Sequence, residues 1–90
     1  PYLQDAAQIE TWARVMSAEY QALVTATEAG LPTLLDPYGA TNAAEFFAVA
    51  TEVFFELPHR MQQEHSELYA VLRDYYRQDT VAWLPVHGKH

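Results

Sequence analysis

The sequence contains no cysteine. That excludes a disulfide framework, a thiolate metal site and a cysteine nucleophile. Basic residues are few: five Lys and Arg stand against twelve Asp and Glu, for a net charge of -7. A nucleic-acid surface needs a basic patch, so that class is excluded. Binding to an anionic membrane is disfavoured for the same reason. Three glycines in the whole chain leave no phosphate-cradling loop, and there is no Gly-x-Ser-x-Gly elbow for a serine nucleophile. No apolar run is long enough to cross a bilayer. No internal repeat, low-complexity run or strand pattern is present. A lack of cysteine is compatible with a reducing cytoplasm. The chain starts at Pro1 without an initiator methionine. This suggests a piece of a longer protein, which would show no signal peptide.

What remains is a helical pattern. Ninety residues, half of them hydrophobic, make one small domain that buries roughly 60–65% of its unfolded surface. A first helix is predicted from Asp5 or Ala6 to Glu28. Ile9, Trp12, Val15, Met16, Tyr20, Leu23 and Val24 recur there at steps of three and four. Asp5 is its cap and Gly30 its left-handed stop. Leu31 to Asn42 contains Pro32, Pro37 and Gly39 and reads as an apolar loop. Within it Asp36-Pro37-Tyr38-Gly39 is a turn that holds Tyr38 in a defined place. A second helix runs from Ala43 to Leu57, with Phe46, Phe47, Ala50, Val53, Phe54 and Leu57 as its apolar set. A short third helix spans Pro58 to His65. Ser66 caps a fourth, from Glu67 to Gln78. Val81-Ala82-Trp83-Leu84 could be extended, and the final His-Gly-Lys-His reads as frayed.

The chemistry-bearing residues gather around the start of the second helix. Asn42 is an N-cap and Glu45 stands three residues on, the spacing of a capping box. A glutamate in a first turn commonly serves only there, offsetting the helix dipole. The same residue type is also a normal third ligand of a hydrolytic zinc, beside two histidines. Glu52 and Glu56 share a face with Glu45 and Val49, which reads first as a solvated acidic face. Glu52 could also orient a ligand on a neighbouring helix. His59 and His65 lack the spacing of His-Glu-x-x-His, and His87 and His90 lie in the tail. None of the four histidines reads as catalytic. Tyr69, Tyr75, Tyr76, Phe54 and Phe55 read as core and subunit contacts.

Tyr38 to Val49 (Tyr-Gly-Ala-Thr-Asn-Ala-Ala-Glu-Phe-Phe-Ala-Val) and then Thr51 to Pro58 resemble the C-terminal half of the MtfA family of bacterial zinc-dependent peptidases of the gluzincin type. Trp12 and Tyr75-Tyr76-Arg77-Gln78-Asp79 fit as well. The pattern is also similar to the catalytic domain of anthrax lethal factor. The resemblance implies that Glu45 is the third zinc ligand and that the Tyr38 hydroxyl stabilises the oxyanion at the scissile carbonyl. It implies that Asn42 caps the ligand helix, and that Phe46 and Phe47 lock its rotation. Two histidines and a general-base glutamate would come from a His-Glu-x-x-His helix preceding Pro1. Aminopeptidase-like activity on a peptide substrate, a cytoplasmic location and binding of the glucose-response repressor Mlc are implied too. Two departures stand out. His-Glu-x-x-His is absent from all ninety residues, so the chain alone should be inactive and should hold zinc weakly or not at all. Val49 stands where lethal factor has an acidic residue, a supporting role Glu52 could take instead.

The expectation is an all-α domain of about four helices that forms the C-terminal part of a zinc metallopeptidase catalytic domain. The competing reading is a non-catalytic helical interaction module. A third is a fragment that forms a homodimer through exposed aromatics.

Overall fold

Gly30 ends the first helix in the left-handed conformation, with φ of 70°. Leu31 N–H reaches back to Ala26 O (2.9 Å) and Gly30 N–H to Thr27 O (3.1 Å). This paired closure satisfies two carbonyls that the helix end would leave open. The computed structural model describes residues 5–83. Among them the chain is all-α: helix α1 (Ala6–Glu28), a 3-10 turn (Pro37–Ala40), α2 (Ala43–Glu56), α3 (Pro58–Glu64), α4 (Ser66–Tyr76) and a second 3-10 turn (Thr80–Ala82). No helix among these is long and apolar enough to cross a membrane.

The start of α1 follows the sequence: Asp5 Oδ1 accepts from Gln8 N–H at 2.8 Å. Its stripe is only partly interior. Val15 and Leu23 are buried and Trp12, Met16 and Tyr20 pack at the margin, whereas Ile9 is 54% exposed. The first two turns overhang the core, so the apolar period outlasts the surface it could pack on.

The core is centred on α2, whose Phe46, Val49, Ala50, Val53 and Phe54 are buried. Leu57, expected with them, is 42% exposed. It lies past the helix end at φ -134°, ψ 53°, where Pro58 begins α3 and the chain leaves the core-facing register. Opposite α2 lie Met61 of α3 and Leu68, Tyr69, Val71 and Leu72 of α4. The described residues form a slab 37 × 36 × 17 Å. The thin dimension is about two packed helices, so many large side chains reach a surface. Trp12, Phe47, Tyr76 and Phe55 are accordingly half-buried, with rings touching Trp12 to Phe47 (5.8 Å) and Phe55 to Tyr76 (5.2 Å).

The fourth helix differs at both ends from the sequence expectation. Ser66 lies inside it, and His65 occupies the cap position without a side-chain cap bond. The helix stops at Tyr76, two residues early, because Arg77 turns left-handed at φ 56° and Gln78 N–H closes on Arg73 O at 3.2 Å. Val81 and Ala82 are in a 3-10 turn and not extended. That turn is anchored by polar contacts. Thr80 Oγ1 donates to Phe54 O in the core at 2.8 Å, Val81 N–H donates to the Tyr69 hydroxyl at 3.0 Å, and that hydroxyl donates to Asp79. Leu84 and His87 to His90 lie outside the described residues.

Arg77 holds a conformation that costs an L side chain about 1 kcal/mol or more and glycine almost nothing. Arg77→Gly should therefore raise stability by about 0.5–1 kcal/mol in urea unfolding. A loss of stability would show that the arginine side chain itself holds the helix end.

Candidate functional site

The loop between α1 and α2 is built turn by turn. Thr33 Oγ1 donates to Leu35 O at 2.6 Å, and Leu35 is buried. Asp36 Oδ1 accepts from Tyr38 N–H at 2.9 Å, while Asp36 O accepts from Gly39 N–H, also at 2.9 Å. Pro37 presets the second position of this turn, as the sequence indicates. Thr41 N–H then donates to Tyr38 O at 3.1 Å. The Tyr20 hydroxyl of α1 donates to Ala40 O at 3.3 Å, which ties the turn to the first helix.

Gly39 makes this turn fit. It is buried and its conformation is ordinary, so the requirement is one of space. A Cβ placed there would press into Val49 Cγ2, with Leu23 Cδ2 at 3.1 Å and the Phe46 Cα at 3.4 Å. The turn therefore wedges between α1 and α2 with backbone against side chain. Val49 is the α2 residue that receives it. This gives Val49 a packing role in this chain and explains an apolar residue in the midst of Glu45, Glu52 and Glu56.

Three residues beyond Gly39, Asn42 is extended at φ -166°, ψ 174°, and its side-chain oxygen accepts from Glu45 N–H at 2.9 Å. Half of a capping box is thus formed. Among the described residues the reciprocal bond, from Asn42 N–H to the Glu45 carboxylate, is not made. The Glu45 side chain stays half-exposed at the positive end of α2. The Tyr38 ring is 59% exposed on the adjoining turn. Rotation of α2 about its axis is set by the two residues after Glu45. Phe46 is buried edge-on against Tyr20 at 5.8 Å, and Phe47 packs on Trp12 at 5.8 Å and Tyr75 at 5.7 Å.

The structure thus brings Tyr38, Asn42 and Glu45 onto one packed unit. Glu52 sits elsewhere. It is exposed and lines a groove with Glu56, Leu57 and the 33–37 loop, two helical turns or about 10 Å further along α2. Among the described residues no three or more of His, Asp and Glu are grouped so as to hold a metal ion. Glu45 by itself offers one ligand where a hydrolytic zinc takes three from protein. The residues present therefore fit one corner of such a site.

One polar pair had no sequence signal. His65 Nδ1 bonds Glu19 Oε1 at 2.8 Å across 46 residues of chain. Neither periodicity nor motif spacing points to a partner so distant.

A family described as glucose-regulated metallo-peptidase M90 matches residues 1–77. An uncharacterized protein of Synechocystis sp. is 52% identical over 67 residues, which is 74% of this chain and 24% of that protein. Mlc titration factor A of Pectobacterium atrosepticum is 40% identical over 50 residues, 56% of this chain and 19% of the relative. Mlc titration factor A of Edwardsiella ictaluri is 33% identical over 85 residues, 90% of this chain and 32% of the relative. The chain thus spans no more than about a third of the length of these relatives. No solved structure matches it. A match over residues 1–77 establishes the family: the chain belongs to the M90 metallo-peptidases.

Substitutions at Gly39, Val49 and Asn42 test how this unit is held. Gly39→Ala should cost about 1–3 kcal/mol, the range for overpacking. Adding Val49→Ala should then cost less than it does alone, because it vacates the collision; strict additivity in thermal unfolding would show that the wedge is loose. Asn42→Ala should cost about 1 kcal/mol while Asn42→Asp stays near neutral. An alanine variant as stable as the parent would remove the cap from the account.

Proposed function

We propose that this member of the M90 family supplies one carboxylate ligand and one phenolic donor to the centre of a zinc-dependent peptidase. Glu45 is the ligand and Tyr38 the donor. The observation that carries the reading is the wedge at Gly39. It packs the turn bearing Tyr38 directly against the helix bearing Glu45, and the Tyr20 bond ties that turn to α1. Preorganised geometry of this kind is what electrostatic catalysis requires. The half-open capping box supports the same reading. Asn42 alone caps the helix start, which leaves the Glu45 carboxylate oxygens for another partner.

A bound zinc would supply Lewis-acid polarisation of the scissile carbonyl and would make its water acidic enough to yield a nucleophile near neutral pH. The remaining ligands and the general base belong, on this proposal, to parts of the protein outside these ninety residues. Within the chain, the Tyr38 hydroxyl would donate a hydrogen bond to the carbonyl oxygen as negative charge grows on it. Phe46 and Phe47 would keep Glu45 aimed by fixing the rotation of α2. Glu52, two turns away beside the 33–37 loop, would act only through an intervening group, by orienting a ligand from another helix. The substrate class is a peptide, with aminopeptidase-like cleavage in a cytoplasmic setting. The name Mlc titration factor A, borne by two of the relatives, supports a second role in binding the repressor Mlc.

The non-catalytic alternative draws on the exposed Trp83 and the half-buried aromatics around it, which could serve a partner or a second copy. Zinc content separates the two readings. The full-length protein should hold about one zinc per chain, and Glu45→Ala should lose most of it while remaining folded by circular dichroism. Zinc retained in full by Glu45→Ala would reduce Glu45 to a helix-start residue and favour the interaction module.

A further inference from the structure

The corner between α3 and α4 has a single residue at its apex. His65 is at once the C-cap position of α3 and the N-cap position of α4, at φ -141°, ψ 60°. Its backbone serves both helices: His65 N–H donates to Met61 O at 2.7 Å, and His65 O accepts from Tyr69 N–H at 2.9 Å. No side chain caps the start of α4. The His65 side chain is thereby released to reach α1, where Nδ1 meets Glu19 Oε1 at 2.8 Å. A second polar link across the α1–α4 seam, Arg14 to Glu67, is 3.6 Å long, with both side chains more than 60% exposed, and such pairs contribute little. The Glu19–His65 pair is at most 28% exposed.

We propose that Glu19 and His65 form a protonation-controlled latch that fastens the α3–α4 corner to α1. Imidazole is the side chain whose charge changes near neutral pH. When it is charged, the Nδ1–H bond to the Glu19 carboxylate is charge-assisted, and such bonds are about twice as strong as neutral ones. The charged groups around it agree. Glu19 faces it from α1 and Glu64 from α3, both acidic; Glu64 is itself engaged by Arg60 at 3.0 Å and Glu67 of α4 by Arg14, so Glu19 is the dominant partner. The 32–35 loop lines the same pocket with Pro32, Thr33, Leu34 and Leu35 and brings no charge. The bond to Glu19 is the leading cause of a proton affinity raised above the ordinary 6.5; partial burial opposes it, and the negative charges of Glu19 and Glu64 add to it.

A raised folded-state affinity adds stability that is fully present below the unfolded value of 6.5 and is lost as pH rises through the folded value. The latch is therefore closed in mild acid and weakened in base. The same pocket is also walled by the loop that leads to the Tyr38 turn.

The test is the imidazole titration of the full chain by NMR, with His65 assigned by the signal that His65→Gln removes, run beside Glu19→Gln. Glutamine keeps an oxygen that can accept from Nδ1–H, so this variant retains the fold. The His65 midpoint should lie above 6.5 in the parent and fall in Glu19→Gln. The Tm gap between parent and Glu19→Gln should be widest in mild acid, about pH 5.5, and narrow by about pH 8.5. A parent midpoint at or below 6.5, or a Tm gap that ignores pH, overturns the latch.

Discussion

The contact between the Gly39 backbone and Val49 is the constraint on which the rest of this structure depends. It sets how closely the loop after α1 can approach α2, because a single methyl group at position 39 would collide with Val49 and crowd Leu23. The approach buries Leu35 and brings Ala40 O to the Tyr20 hydroxyl. It also fixes where the chain must turn outward, and Asn42 caps α2 at that point. Tyr38 and Glu45 take their places from this wedge. Neither is buried, so neither is positioned by its own packing.

A small chain with a thin core holds such a unit rigid by several modest means. Aromatic contacts run from Trp12 through Phe47 to Tyr76 and Phe55, and edge-on or offset rings contribute about 0.5–1.5 kcal/mol each beyond area burial. The Thr80 hydroxyl plugs onto Phe54 O and closes the far end of α2. Ion pairs add little: Arg60 to Glu64 and Arg73 to Asp74 are surface pairs within one helix or between neighbours. The acidic excess therefore stays largely solvated. Glu19 pairs with His65 where both side chains are at most 28% exposed.

Much of this was legible in the sequence where the signal is local. The limits of α1, the Asp5 and Asn42 caps, the Gly30 stop and the Asp36–Gly39 turn each rest on a few adjacent residues whose chemistry has one good use. That Tyr38, Asn42 and Glu45 share one turn and helix start was legible for the same reason, since they lie within eight positions of one another. What the sequence hid depends on tertiary contact. Val49 reads as one member of an acidic face until Gly39 is seen against it. Arg77 ends α4 in a conformation that glycine would announce and arginine does not. Ile9 keeps the apolar period where the core has run out, and Leu57 keeps it past the helix end, where the chain has left the core-facing register. The Glu19–His65 pair joins residues with no spacing relation at all.

The central claim is that one rigid unit offers Glu45 to a metal with Tyr38 beside it. A crystal structure of the zinc-loaded full-length protein tests it most directly. The account predicts a Glu45 oxygen about 2.0–2.2 Å from the zinc, with the turn still wedged on Val49 and the Tyr38 hydroxyl facing the open coordination position. A zinc fully ligated by other residues, with Glu45 turned to solvent or to the Asn42 amide, would contradict it.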